Sequence, residues 1–207
     1  MLKENMTILF QGDSITDCCR YAYEMDGLGY GYATIVASRL MYDYPELNLK
    51  FINRGIGGNR VADLVERWDK DCINIQPDIL TILIGINNVW REFDSNDPTT
   101  NVDFEKYYRE VLIKTKEKTN AKIIIMSPFL IPYPEDRNTW RKGFDEKKSI
   151  VEKLVKEFDL EYIDIDKMFL ELVEKKEAKY WAEDGVHPTP AGHQAIANAL
   201  LEVLCCR

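Results

Sequence analysis

Ser14 follows a run of five strand-forming residues, Thr7 to Gln11, in TILFQGDSITD, where the chain bends sharply at Gly12-Asp13-Ser14. A hydroxyl at such a bend could be a nucleophile held at the mouth of a sheet. It could equally cap the helix that follows, because Ser and Asp are strongly preferred N-cap residues. A nucleophilic serine needs a base, and the chain holds two histidines, His187 and His193. His187 lies in the turn-rich stretch WAEDGVHP with Asp184 three positions before it. One short loop can therefore carry an imidazole and the carboxylate that fixes its tautomer. His193 falls inside a helical pattern, where packing or capping accounts for it.

The elements that must position these groups alternate along the chain. Apolar runs at 7–11, 49–53, 79–84, 122–127 and 161–165 show no in-out alternation, as expected of parallel strands buried on both faces. Helical patterns fall between and after them at 32–44, 61–73, 102–118, 145–158 and 190–204, the last opening with Thr189 as N-cap and Pro190 in the first turn. This order implies right-handed crossovers and an α/β doubly wound parallel sheet in one domain spanning 1–207. Ligands bind such sheets beyond the carboxyl ends of the strands. The segments found there are GDSITD, NRGIGGNR, GINNVW and Pro128-Phe129, all rich in small, polar or turn-forming residues.

Several chemistries are disfavoured by the same residues. The stretch from Gly55 has Arg60 where a G-x-G-x-x-G fingerprint needs its last glycine, and no phosphate-binding G-x-x-x-x-G-K-[ST] is present. Thr16 replaces the final glycine of a G-x-S-x-G elbow. With 27 basic and 35 acidic residues the net charge is -8, which offers no footprint for nucleic acid. No apolar stretch reaches signal-peptide or membrane-spanning length, so a cytoplasmic protein with no membrane partner is expected. The five cysteines, Cys18-Cys19, Cys72 and Cys205-Cys206, match neither a disulfide framework nor a metal pattern and are expected as reduced thiols. Cys18 is close enough to Ser14 to line a site, or is a bystander.

Gly12-Asp13-Ser14, Gly58 in NRGIGG, Asn87 in GINN and Asp184-Gly185-Val186-His187 together resemble, in order and at successive strand ends, the four sequence blocks of the SGNH (GDSL-type) hydrolases. The resemblance implies a flavodoxin-like three-layer sandwich around a five-stranded parallel sheet. It implies Ser14 as nucleophile, Gly58 and Asn87 as oxyanion donors, and Asp184 with His187 as the acid-base pair, with no metal or cofactor. Asn88 stands where that family usually has Asp, which is expected to alter loop hydrogen bonding and leave the chemistry intact.

Trp90, Trp140 and Trp181 fall in stretches read as loops, two of them beside the blocks, while Trp68 belongs to a helix and a core. Exposed aromatics near Arg54, Arg60, Arg91 and Arg141 suit stacking and hydrogen bonding to a sugar, or else pack an interface. Asp13, Arg54, Asn59, Trp90, Arg91 and Trp181 are the candidate substrate contacts. GDSITDC, NVWREFD and AEDGVHPTPAGH look like intracellular carbohydrate acetylesterases of this family acting on acetylated xylo-oligosaccharides. The implied partner is a small acetylated sugar ester, and a homo-oligomer is expected. A lysophospholipase or thioesterase of the same family, or a non-catalytic carbohydrate-binding protein, are the alternatives.

Overall fold

The structure is a computed structural model that describes residues 2–21 and 27–205. Five strands form one parallel sheet: β1 (Thr7–Gly12), β2 (Lys50–Asn53), β3 (Ile79–Leu83), β4 (Lys122–Met126) and β5 (Glu161–Ile163). Their order is β2-β1-β3-β4-β5. This is the flavodoxin-like arrangement expected from the sequence, with its crevice where the order reverses between β1 and β3.

Nine α-helices accompany the sheet among the described residues: α1 (Ser14–Asp17), α2 (Tyr32–Asp43), α3 (Val61–Asp71), α4 (Ile86–Asp94), α5 (Asn101–Lys118), α6 (Arg141–Phe158), α7 (Ile165–Val173), α8 (Ala178–Trp181) and α9 (Pro190–Cys205). Every residue of β3 is buried, which is why its sequence is apolar without alternation. The side chains still alternate in direction. Ile8 and Phe10 of β1 pack with α2, α7 and α9, while Leu9 packs with α3, α5 and α6 on the other face. Trp68 is fully buried in this second layer, as its helical pattern implied, and its indole donates to Thr115 Oγ1 at 3.0 Å.

Several stretches differ from the sequence reading, among them α7 and α8, which it did not include, and α6, which begins at Arg141. GINNVW opens α4 instead of forming a loop, and the apolar run at 161–165 ends early because Asp164 caps α7, accepting from Lys167 N at 3.0 Å. Cys18, Cys19, Cys72 and Cys205 are free thiols, and Cys206 lies outside the described residues. No helix among the described residues is long and apolar enough to cross a membrane.

Candidate active site

The bend after β1 is fixed by its first two residues. A Cβ at Gly12 would meet Thr16 Oγ1 at 2.3 Å and the Leu83 carbonyl at 2.4 Å, so only glycine lets β1 lie this close to β3 and α1. Asp13 is the N-cap of α1, its Oδ1 accepting from Ile15 N at 3.0 Å. The cap is therefore Asp13, and Ser14 is left free to do something else. Its Oγ lies 2.9 Å from His187 Nε2. His187 Nδ1 lies 2.7 Å from Asp184 Oδ2, and Asp184 Oδ1 accepts from the backbone N–H groups of His187 and Val186 at 2.7 and 2.9 Å. These bonds assign the proton to Nδ1 and leave Nε2 to accept from the serine.

Charge follows the geometry. Burial pushes the Asp184 carboxyl up, but the hydrogen bonds from the His187 ring and from two backbone amides outweigh it and hold the group down at about 2. The hydrogen bond that His187 donates to Asp184 raises the His187 pKa above the ordinary 6.5, against partial desolvation. A serine with an oriented, basic imidazole can attack an electrophilic carbon and pass its proton to Nε2.

The opposite wall is made of backbone. Gly57 N donates to Asp17 Oδ2 at 2.9 Å, Ile56 N donates to the Gly12 carbonyl at 3.1 Å, and a Cβ at Gly57 would come 4.0 Å from Ser14 Cβ. Gly58 follows with φ +80°, a value that favours glycine. Beneath it, the fully buried Asn53 accepts from Gly55 N at 2.8 Å and donates to the Thr16 and Leu28 carbonyls at 2.6 and 2.9 Å. Asn87, in the first turn of α4 and 4% exposed, donates through Nδ2 to the Asn59 carbonyl at 3.1 Å. Asn88 accepts from Val61 N at 3.2 Å and donates to Thr99 Oγ1 at 3.1 Å, so it ties α4 to the start of α3 and to the loop before α5.

The candidate substrate contacts divide. Asp13 is 1% exposed, which removes it from any surface a substrate could touch, and burial pushes its carboxyl up to about 7. Asn59 is occupied as well, its Oδ1 accepting from Arg67 Nε at 2.9 Å. Arg54 spans Asn53 and Asp71, and Arg91 pairs with Asp94 while reaching within 3.5 Å of where a Gly58 Cβ would be. Trp90 packs its ring 5.7 Å from that of His187. Trp181 lies in α8, not a loop; its indole donates to the Lys176 carbonyl and meets Tyr180 edge to face. Trp140 is 4% exposed and stacks on Phe93 at 5.0 Å, which corrects its reading as an exposed loop residue. Arg141 is likewise engaged, with the buried Asp166.

His193 is no rival base: its Nδ1 accepts from Tyr32 N at 3.3 Å and caps α2, and burial holds it down to about 4. Cys18 Sγ lies 3.5 Å from His193 Nε2, and burial pushes the thiol pKa up. Two arginines escaped the sequence reading. Arg67 joins Asp71, Gln11 and the carbonyls of Gly12 and Arg54, clamping the nucleophile bend to the loop after β2. Arg137 reaches the Asp184 carbonyl. Arg137 has no spacing signal, because Asp184 is remote in sequence, and the i,i+4 spacing of Arg67 and Asp71 gives no sign of the remote bonds to Gln11, Gly12 and Arg54.

The family model for GDSL-like lipases and acylhydrolases matches residues 10–195, from the end of β1 through His187. The chain belongs to this family. Within it, the chain is 37% identical over 202 residues to an acetylxylan esterase from Geobacillus stearothermophilus, covering 94% of this chain and 91% of that protein. A solved Parabacteroides merdae protein assigned as a GDSL-like lipase superposes with TM-score 0.91 and 38% identity, covering 98% and 96% of the two chains. The acetylxylan esterase Axe2 from Geobacillus stearothermophilus superposes with TM-score 0.89 and 32% identity, covering 100% and 97%. Axe2 has solved catalytic mutants at a serine, an aspartate and a histidine, the last two three positions apart, as Asp184 and His187 are in this GDSL-family chain.

Proposed function

We propose that the chain is a serine esterase that removes acetyl groups from acetylated carbohydrates such as xylo-oligosaccharides. The observation that carries this reading is the unbroken line from Ser14 Oγ through the His187 ring to Asp184, at 2.9 and 2.7 Å. Ser14 attacks the ester carbonyl as His187 Nε2 takes its proton. The N–H groups of Ser14 and Gly58 and the Asn87 amide receive the oxyanion. One Asn87 N–H is held by the Asn59 carbonyl, which aims the other without reorganisation as charge develops. As the intermediate collapses and the ester C–O bond breaks, His187 gives its proton to the departing sugar oxygen, which leaves as a hydroxyl. Water attacks the acyl-enzyme with His187 again as base, releasing acetate.

Acetyl specificity rests on the likeness to the acetylxylan esterases and on Trp90, whose indole beside His187 takes up space a longer acyl chain would need. Cytoplasmic action and assembly with further copies of the chain belong to the same reading. The test is a series of p-nitrophenyl esters from acetate to octanoate. An acyl groove would add about 0.8 kcal/mol of binding per methylene, so kcat/KM would climb along the series. We expect acetate to be best with a steep fall by butyrate, and turnover of acetylated xylo-oligosaccharides. A preference for octanoate overturns the acetylesterase reading in favour of a lipid-directed one.

A further inference from the structure

The segment between β4 and α6 takes no part in the chemistry above, yet it holds the acid-base loop from outside. Ile131 N donates to the Gly185 carbonyl at 2.9 Å, and Gly185, at φ +81°, leaves no room for a Cβ, which would fall 2.0 Å from the Tyr133 carbonyl. On the serine-esterase reading of the site, we infer that Arg137 in this segment is a positioning residue, locking the Asp184–His187 loop and the Trp90 ring into one unit so that His187 stays in line with Ser14.

Three contacts of one guanidinium carry the inference. Arg137 Nε donates to the Asp184 carbonyl at 3.1 Å. Its Cζ lies over both indoles, 4.0 Å from the centre of the Trp140 ring and 5.2 Å from that of Trp90. Trp90 and Trp140 meet at 5.3 Å, and Trp90 in turn meets His187 at 5.7 Å. The side chain is only 12% exposed, although the Asp136 carboxylate that it also binds is 63% exposed. Arg137 thus reaches the acid-base pair by two routes, through the backbone of Asp184 and through the face of Trp90. Arginine suits the place because its plane stacks on indole while its edge donates, which lysine cannot do together. The charged groups facing the His187 ring are Asp184 from its own loop, Asp13 from the nucleophile bend and Arg137. The first two favour the imidazolium; Arg137 opposes it and so keeps the ring available as a base.

The test compares Arg137→Met and Arg137→Lys with the native chain on p-nitrophenyl acetate across pH, with Ser14→Ala alongside. In Arg137→Met we expect kcat to fall by about 10–100-fold with KM changed by less than about twofold, because a misplaced base costs turnover more than binding. The acid limb of its kcat/KM profile should move to higher pH, which loss of packing alone would not cause. In Arg137→Lys the charge remains, so the limb should return to its native place while kcat stays several-fold low. Native kcat and an unmoved limb in Arg137→Met overturn the inference. If Arg137→Met does not fold, native kcat in Arg137→Lys overturns it instead. Activity in Ser14→Ala would sink the esterase reading itself, whereas an inactive Ser14→Ala beside a native-like Arg137→Met sinks only the role given to Arg137.

Discussion

The two walls of the crevice are built by different means. On the side proposed to receive the oxyanion, Asn53 is fully buried, Asn87 is 4% exposed, and each bonds to the backbone of neighbouring segments. On the side proposed to carry the acid-base pair, the His187 and Asp184 side chains are 46% and 35% exposed and ride on a loop braced by another loop. The difference matches the two tasks. In the proposed mechanism the oxyanion donors act by being already in place when charge develops, and Asn87, held by the Asn59 carbonyl at the start of α4, suits that. A general base must exchange protons with serine, leaving group and water in turn, and a half-open loop admits the last two. Fixing such a loop is then the problem that remains, and the segment carrying Arg137 addresses it.

Breaking the acid-base side outright should have the largest effect. Ser14→Ala or His187→Ala should lower kcat by about 10⁴-fold or more, since triad members act as a unit. Because both groups are partly exposed, thermal melting should be close to native; near-native esterase activity in Ser14→Ala would remove the mechanism. The oxyanion side should respond less in rate. Asn87→Ala removes one donor and should cost on the order of 10²–10³ in kcat with KM little changed. A rise in KM alone would mean that Asn87 binds the ground state.

The sheet was legible in the sequence because strand runs buried on both faces are apolar throughout, and the first three blocks stand out because they follow the ends of β1, β2 and β3. α4 was not legible. Its Asn87-Asn88 pair normally competes with the helical backbone and reads as a turn, but here both side chains are spent on Asn59, Val61 and Thr99, leaving Ile86 and Val89 to bury a helical face. Arg137 was hidden for a related reason. PYPEDRNTW is turn punctuation locally, and its meaning depends on docking to Asp184, 47 residues away. Asp13 and Asn59, two of the candidate substrate contacts, are polar residues after the strands whose side-chain oxygens accept from within the fold.

Asp13 offers a way to probe the floor shared by the two walls. Its Oδ2 is buried with no hydrogen-bond partner among the described residues, and burial pushes its pKa from 3.8 to about 7. The folded chain therefore keeps this proton where the unfolded chain has lost it, so the group's contribution to stability declines as pH rises from 3.8 to about 7. Asn keeps an oxygen for Ile15 N and carries no charge. The melting temperature of Asp13→Asn relative to the native chain should therefore rise between pH 4 and pH 8. A difference that is flat with pH would show that Asp13 does not titrate in that window. The acid limb of activity should shift slightly downward, because the Asp13 charge favours the His187 imidazolium.

The smallest effect is expected at Asn88, and it asks whether the oxyanion wall depends on the identity of that residue or only on its bonds. Asn88→Asp restores the residue usual in the family. A carboxylate can accept from Val61 N as the amide oxygen does, and beside the first turn of α3 its charge gains from the helix dipole. It cannot donate to Thr99, but the Thr99 hydroxyl can reverse and donate to it. Against these gains stands the cost of placing a charge where the side chain is 1% exposed. The opposed effects should leave stability within about 1 kcal/mol, a melting shift of about 2–4 °C, and kcat within about threefold of native. A loss of kcat approaching that of Asn87→Ala, with melting unchanged, would show instead that the Asn88 amide itself holds Asn87 in its donating position.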